Sequence, residues 1–146
     1  MGIKELFLQK GWAGRTIDRD ETVDRFNPII RVMNELMQFY LAAAEASGDN
    51  AKQDAINASL RTLRMDIGKM CETVFSCGGV AYNGIDLNTE DFRLGTALSS
   101  RILAQEAKLE SALDDETNIE HQMRSRAILG VVTENQKERL HSLRGL

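Results

Sequence analysis

Between Val23 and Cys77 the apolar residues recur with the period of an α-helix. Val23, Phe26, Ile30, Met33, Met37, Tyr40 and Ala44 follow one another at steps of 3,4,3,4,3,4. After a polar break, Ile56, Leu60, Leu63, Ile67, Met70, Val74 and Cys77 repeat the pattern at 4,3,4,3,4,3. Such spacing puts a side chain on the same face at every turn, and it excludes the two-residue alternation of a strand. Ile29, Leu36 and Ala43 widen the first stripe. Composition agrees: one proline and 5% aromatic residues suit helices better than sheets.

The breaks between stripes are as informative as the stripes. Asn27 is a good N-cap and Pro28 suits a first helical turn, so a helix is expected to start or restart there. "SGDN", residues 47–50, should end it, with Gly48 left-handed and Asp49 or Asn50 capping the next helix. The second helix should stop at Cys77 against Gly78. The next residues, "GGVAYNGIDLN", form the longest connector. Asn83–Gly84 is a turn signal, and Val80, Tyr82, Ile85 and Leu87 alternate around it as in a small hairpin. A third helix is expected from Asn88 or Thr89 to about Asp115, on a looser stripe of Leu94, Leu98, Ile102, Leu109 and Leu113 with Gln105 on the seam. "TNIE", residues 117–120, matches a capping box for a fourth helix. Gly130 leaves residues 117–146 as either one kinked helix or two.

The predicted fold is therefore all-α: an antiparallel up-and-down four-helix bundle in a single domain, residues 1–146. Residues 1–16 would form an amphipathic N-terminal arm carrying Ile3, Leu6 and Phe7. Residues 78–88 would form a hairpin-like loop between helices two and three. Helices of roughly 20–27 residues would each span about 30–40 Å. A chain of 146 residues is long enough to build such a core without a staple.

Several functions are disfavoured by the sequence. The net charge of −4 argues against general nucleic-acid binding, which depends on neutralising phosphates. No apolar run reaches the ~18 residues of a membrane span. The start, "MGIKELFLQKGW", lacks the apolar core of a signal peptide, and with two cysteines the expected compartment is the reducing cytoplasm. A di-iron bundle needs two Glu-x-x-His motifs, and there is none. No cofactor or metal is expected, and no catalytic residue set stands out. Cys71 and Cys77 lie six residues apart, a rise of about 9 Å on a continuous helix, too far for a disulfide. Both are read as small apolar residues at the edge of the stripe. His121 and His141 are read as surface or capping residues near helix ends.

Charge is uneven along the chain. Residues 88–116 carry three basic and seven acidic groups, and residues 117–146 carry five basic and three acidic groups, or −4 against +2. Pairing of the last two helices is the expected consequence. Gly68, Gly95 and Gly130 lie inside predicted helices at a cost of about 1 kcal/mol each relative to Ala. Close helix packing is the expected reason, and room for a ligand is the alternative.

With no motif for chemistry, the expected function is non-enzymatic. The chain is read as a helical-bundle protein acting through protein–protein contacts, as a homo-oligomer, with the N-terminal arm as a second route to a partner. The methionines Met33, Met37, Met65 and Met70 on the stripes motivate that reading. The alternative is a small-molecule binding protein or enzyme with a site between the helices near the 78–88 loop. The candidate surface comprises Tyr82, Asn83, Gly68 and Gly95, with Arg15 of "GWAGRT" as an anion contact.

Overall fold

The computed structural model describes residues 15–93 and 98–145. Among them are five helices and no strand: α1 (Arg19–Ala46), α2 (Asn50–Ser76), α3 (Thr89–Arg93), α4 (Leu98–Asp114) and α5 (Met123–Arg144). The N-terminal arm falls almost wholly outside the described residues, as do Gly95 and Leu94.

The first helix starts nine residues before Pro28. Asp18 caps it by accepting a hydrogen bond from the backbone N–H of Glu21 at 2.8 Å, so Pro28 sits inside α1 rather than at its start. The turn into α2 is capped by Asp49, as expected, through Ala51 and Lys52. Gly48 does not adopt a positive φ; α1 ends on an extended Ser47 instead. At the far end of α2, Gly78 takes φ +82°, and Cys77 donates back into the last turn. The Cys71–Gly79 stretch is thus a helix stop. Both thiols are free and partly buried.

The expected third helix is described in two stretches, α3 and α4, with residues 94–97 outside the described residues. One further boundary differs from expectation. The capping box at Thr117 does not form: its hydroxyl donates to the carbonyl of Asp114, and turns occupy residues 115–119. The final helix then starts at Met123 and runs through Gly130 as one helix.

The packing order also departs from the up-and-down expectation. α1 packs on α2 and α4, and α5 packs on α2 and α4. Arg25 meets Glu116, the Gln105 side chain donates to Val32, and Arg93 reaches Glu45, so α1 and α4 run antiparallel. Glu106 pairs with Arg139 across α4 and α5, while Asp66 bonds Asn135 across α2 and α5. α2 and α4 therefore point the same way, and the chain must travel the length of α1 to get from one to the other. Gly79 lies at Val23, Tyr82 at Asn27, Gly84 at Asn34, Phe92 against Phe39 and Arg93 at Glu45. No hairpin forms there among the described residues. The physical reason is the width of the α1 stripe. Ile29, Leu36 and Ala43 are buried alongside Phe26, Ile30, Met33 and Tyr40, giving α1 enough apolar surface for two long neighbours.

Met33 and Met70 are fully buried in this core and Met37 packs against it, so of the four stripe methionines only Met65, at 63% exposure, is available to a partner.

Candidate functional site

One side chain holds the inner part of the connector that crosses α1. Asn27 donates from Nδ2 to the carbonyl of Val80 at 2.9 Å and accepts from the N–H of Tyr82 into Oδ1 at 2.9 Å. A primary amide has the donor and acceptor of a peptide group, so it can pair with a chain segment as a neighbouring strand would. This is the role Asn27 has in place of the N-cap.

Two glycines let the connector approach α1. A Cβ at Gly79 would fall 2.6 Å from a methyl of Val23. Gly84 has φ +75°, and a Cβ there would lie 3.0 Å from Asn34 Oδ1. Asn83 accepts the N–H of Ile85 at 3.0 Å, and Leu87 donates to the carbonyl of Gly84 at 3.0 Å. The Asn83–Gly84 turn signal thus makes a local loop.

A second set of contacts pins the outer part of the connector. The Tyr82 hydroxyl donates to Asp86 Oδ1 at 2.6 Å. Arg31 donates to Asp86 Oδ2 at 3.2 Å, and its guanidinium lies 5.2 Å from the Tyr82 ring centroid. Partial loss of water and the bond to Asp86 push the Tyr82 hydroxyl up to about 12, and the same bond holds the Asp86 carboxyl below its ordinary value. Between this connector and α1 lies a shallow groove of ≈ 690 Å³ lined by Val23, Pro28, Arg31, Val80, Tyr82 and Ile85, among others. Val80 is 81% exposed and Ile85 is 87% exposed, both on backbone that is tied down.

Of the sequence candidates, Tyr82 and Asn83 belong to this groove. Gly68 does not. It is exposed on α2, and a Cβ there would meet nothing within 4 Å, so neither close packing nor a ligand accounts for it. Gly130 is equally open. Gly95 lies outside the described residues. Arg15 is not among the groove's lining residues and pairs with Glu21 at 2.6 Å.

The structure also assembles two polar clusters that the sequence reading passed over. In the first, Arg139 holds Glu106 with two bonds of 3.0 Å, and Tyr40 donates its hydroxyl to the same carboxylate at 2.9 Å. Gln136 donates to the backbone carbonyl of Glu106 at 3.3 Å, and Asn135 donates to both oxygens of Asp66 at 2.9 and 3.1 Å. Tyr40, Asp66 and Glu106 are fully buried, and Arg139 is 2% exposed. Burial and the neighbouring Glu106 charge raise the Tyr40 hydroxyl far above its ordinary value, so it stays a donor. The expected pairing of the last two helices is realised here, as a buried pair. A signal was present: Glu106 stands between Ile102 and Leu109 at steps of 4 and 3, and Gln136 and Arg139 continue Leu129 and Val132 at 4 and 3. Polar residues at stripe positions mark buried networks.

The second cluster corrects the reading of His121. It is 2% exposed and precedes α5. Its Nε2 lies 2.8 Å from Glu116 Oε1, whose Oε2 accepts from Arg25 at 3.0 Å, and its ring tilts against Phe26. Nδ1 is buried without a hydrogen-bond partner among the described residues, and His121 and Glu116 line a cavity of ≈ 480 Å³. This geometry joins the 115–122 turn to α1. His141 lies exposed in the last turn of α5, as expected.

Among the described residues no group of three or more acidic, histidine or cysteine side chains could hold a metal ion, and no helix is long and apolar enough to cross a membrane. Comparison with protein-family models, curated proteins and solved structures returns no match. Any functional reading therefore rests on the chain's own geometry.

Proposed function

We propose that this protein acts through protein–protein contacts, as a homo-oligomer, and that the connector face over residues 78–88 is the contact surface. The observation that supports this is the presentation of Val80 and Ile85. Both stand almost fully exposed on backbone fixed by Asn27 and by the Arg31–Tyr82–Asp86 set. Apolar side chains held out by an ordered scaffold lose little entropy on being covered, and an apolar centre with a polar rim is the usual anatomy of an interface. The rim carries both signs, Asp24 and Asp86 beside Arg31, which suits a contact between two copies related by a two-fold axis. The four long helices are read as a bundle with one long crossover, a stable platform for that face. A reducing, cytoplasmic compartment fits the two free thiols.

The test is the oligomer mass of the double substitution Val80→Ser/Ile85→Ser by light scattering. Both side chains are exposed, so folding should be unaffected while the mass falls toward that of one chain. An unchanged mass in a folded variant overturns the choice of face. A companion deletion of residues 1–16 asks whether the arm contributes: a lower mass assigns it a share of the contact.

A second reading places a small-molecule site in the same groove, favoured by its volume and by the mixed lining of Tyr82, Arg31 and apolar side chains. It predicts a rise in melting temperature with at least one ligand class, since binding to the folded state alone must raise apparent stability.

A further inference from the structure

The cluster at the centre of the helices does not balance its charges. It holds two carboxyl groups, Glu106 and Asp66, both fully buried, against one guanidinium, Arg139. Arg139 is committed to Glu106 through Nε and one terminal nitrogen. Its other terminal nitrogen, NH1, lies 3.7 Å from Asp66 Oδ2, too far for a hydrogen bond, and has no hydrogen-bond partner. Among the described residues Asp66 has a single hydrogen-bond donor, the side-chain amide of Asn135, shared between both of its oxygens. An ionised carboxylate offers about four acceptor sites and is costly to bury with so few filled.

We propose that the folded chain keeps a proton on Asp66 through the mildly acidic range, where exposed aspartates have lost theirs, and that release of this proton loosens the seam between α2 and α5. A protonated Asp66 resolves the imbalance. Asn135 Nδ2 now bridges both carboxyl oxygens; a rotation of the Asn135 amide would let the Asp66 O–H donate to the amide oxygen while the other carboxyl oxygen accepts from Nδ2. The cluster is then neutral, with Glu106 matched by Arg139. Loss of the proton leaves two buried negative charges sharing one guanidinium, with Lys69 as the other nearby positive charge.

The groups around Asp66 come from every long helix. Asn135 and Arg139 face it from α5, Lys69 is the nearby charge on α2, Glu106 of α4 competes for Arg139, and Tyr40 of α1 bonds to Glu106. Burial is the largest influence and raises the Asp66 carboxyl; Asn135, Arg139 and Lys69 oppose it. The sign of the linkage follows. With the folded-state value above the ordinary 3.8, stability from this site is complete below 3.8 and falls as pH rises through the interval up to the folded-state value.

Carboxyl-labelled aspartate tests this in the full-length chain. Every other aspartate is exposed, so a single late-titrating resonance in a carbon-detected NMR titration belongs to Asp66. The expected midpoint lies above the ~3.9 of an exposed aspartate. Asp66→Asn should remove that resonance. It should also gain in melting temperature over the unsubstituted protein between pH 4 and the midpoint and hold a constant difference above it. Titration of all aspartates together near 3.9 overturns the proposal, as do melting curves that stay parallel across that interval. If Asp66→Asn does not fold, the titration of the unsubstituted protein decides alone.

Discussion

One side chain, Asn27, supplies both hydrogen bonds that fasten the connector to α1 at Val80 and Tyr82. Asn27→Ala removes both at once and leaves two backbone groups to find water. A loss of about 2 kcal/mol in unfolding free energy is expected from two partly exposed bonds. It should be accompanied by faster amide exchange at Tyr82. Glu106 is a harder case, because its removal strands a buried guanidinium. Glu106→Ala should cost about 3–5 kcal/mol by urea denaturation, more than the loss of packing alone. Glutamate at position 106 has no local signature, but its place on the apolar stripe was readable, and that alone should have marked it as buried.

Among the helices, Gly68 and Gly130 offer the simplest gains. Each is exposed within a long helix, and a Cβ at either position meets nothing within 4 Å. Gly68→Ala and Gly130→Ala should each stabilise the protein by about 1 kcal/mol, read as a higher denaturation midpoint. Gly84→Ala should do the reverse by about 1 kcal/mol, since its φ of +75° disfavours any Cβ and Asn34 stands in the way. Gly68 and Gly130 were read as interruptions of a helix and Gly84 as part of a turn. Their surroundings give Gly84 a required conformation and leave Gly68 and Gly130 none. Helix boundaries divide in the same manner. Asp49 and Gly78 could be read from sequence because their bonds are to residues within a few positions. Asn27 could not, because its partners lie 53 and 55 positions away.

Across the whole molecule, the charged cluster spans all four long helices and ties their mutual heights together. A buried ion pair is weak evidence of net stability, since desolvation offsets much of the attraction. The triple substitution Asp66→Leu/Glu106→Leu/Arg139→Met removes every charge together and should therefore cost less than Glu106→Ala alone. Comparison of the two urea midpoints checks this ordering. Arg139 and Asp66 lie 73 positions apart, and only the packing of α5 on α2 gives them a common environment.

The sequence by itself determined that this chain is helical, where its first two stripes lie, where α2 stops, and that the common metal and thiol motifs are absent. Periodicity carries that information because it depends on neighbours three and four residues apart. It reports which side of a helix is buried and says nothing of which helix buries it. The order of the helices, the path of the connector along α1, the burial of His121 and the meeting of Asp66, Glu106 and Arg139 were decided by tertiary structure. Each depends on contacts between residues distant in the chain, and on α1 having an apolar face wide enough for two neighbours.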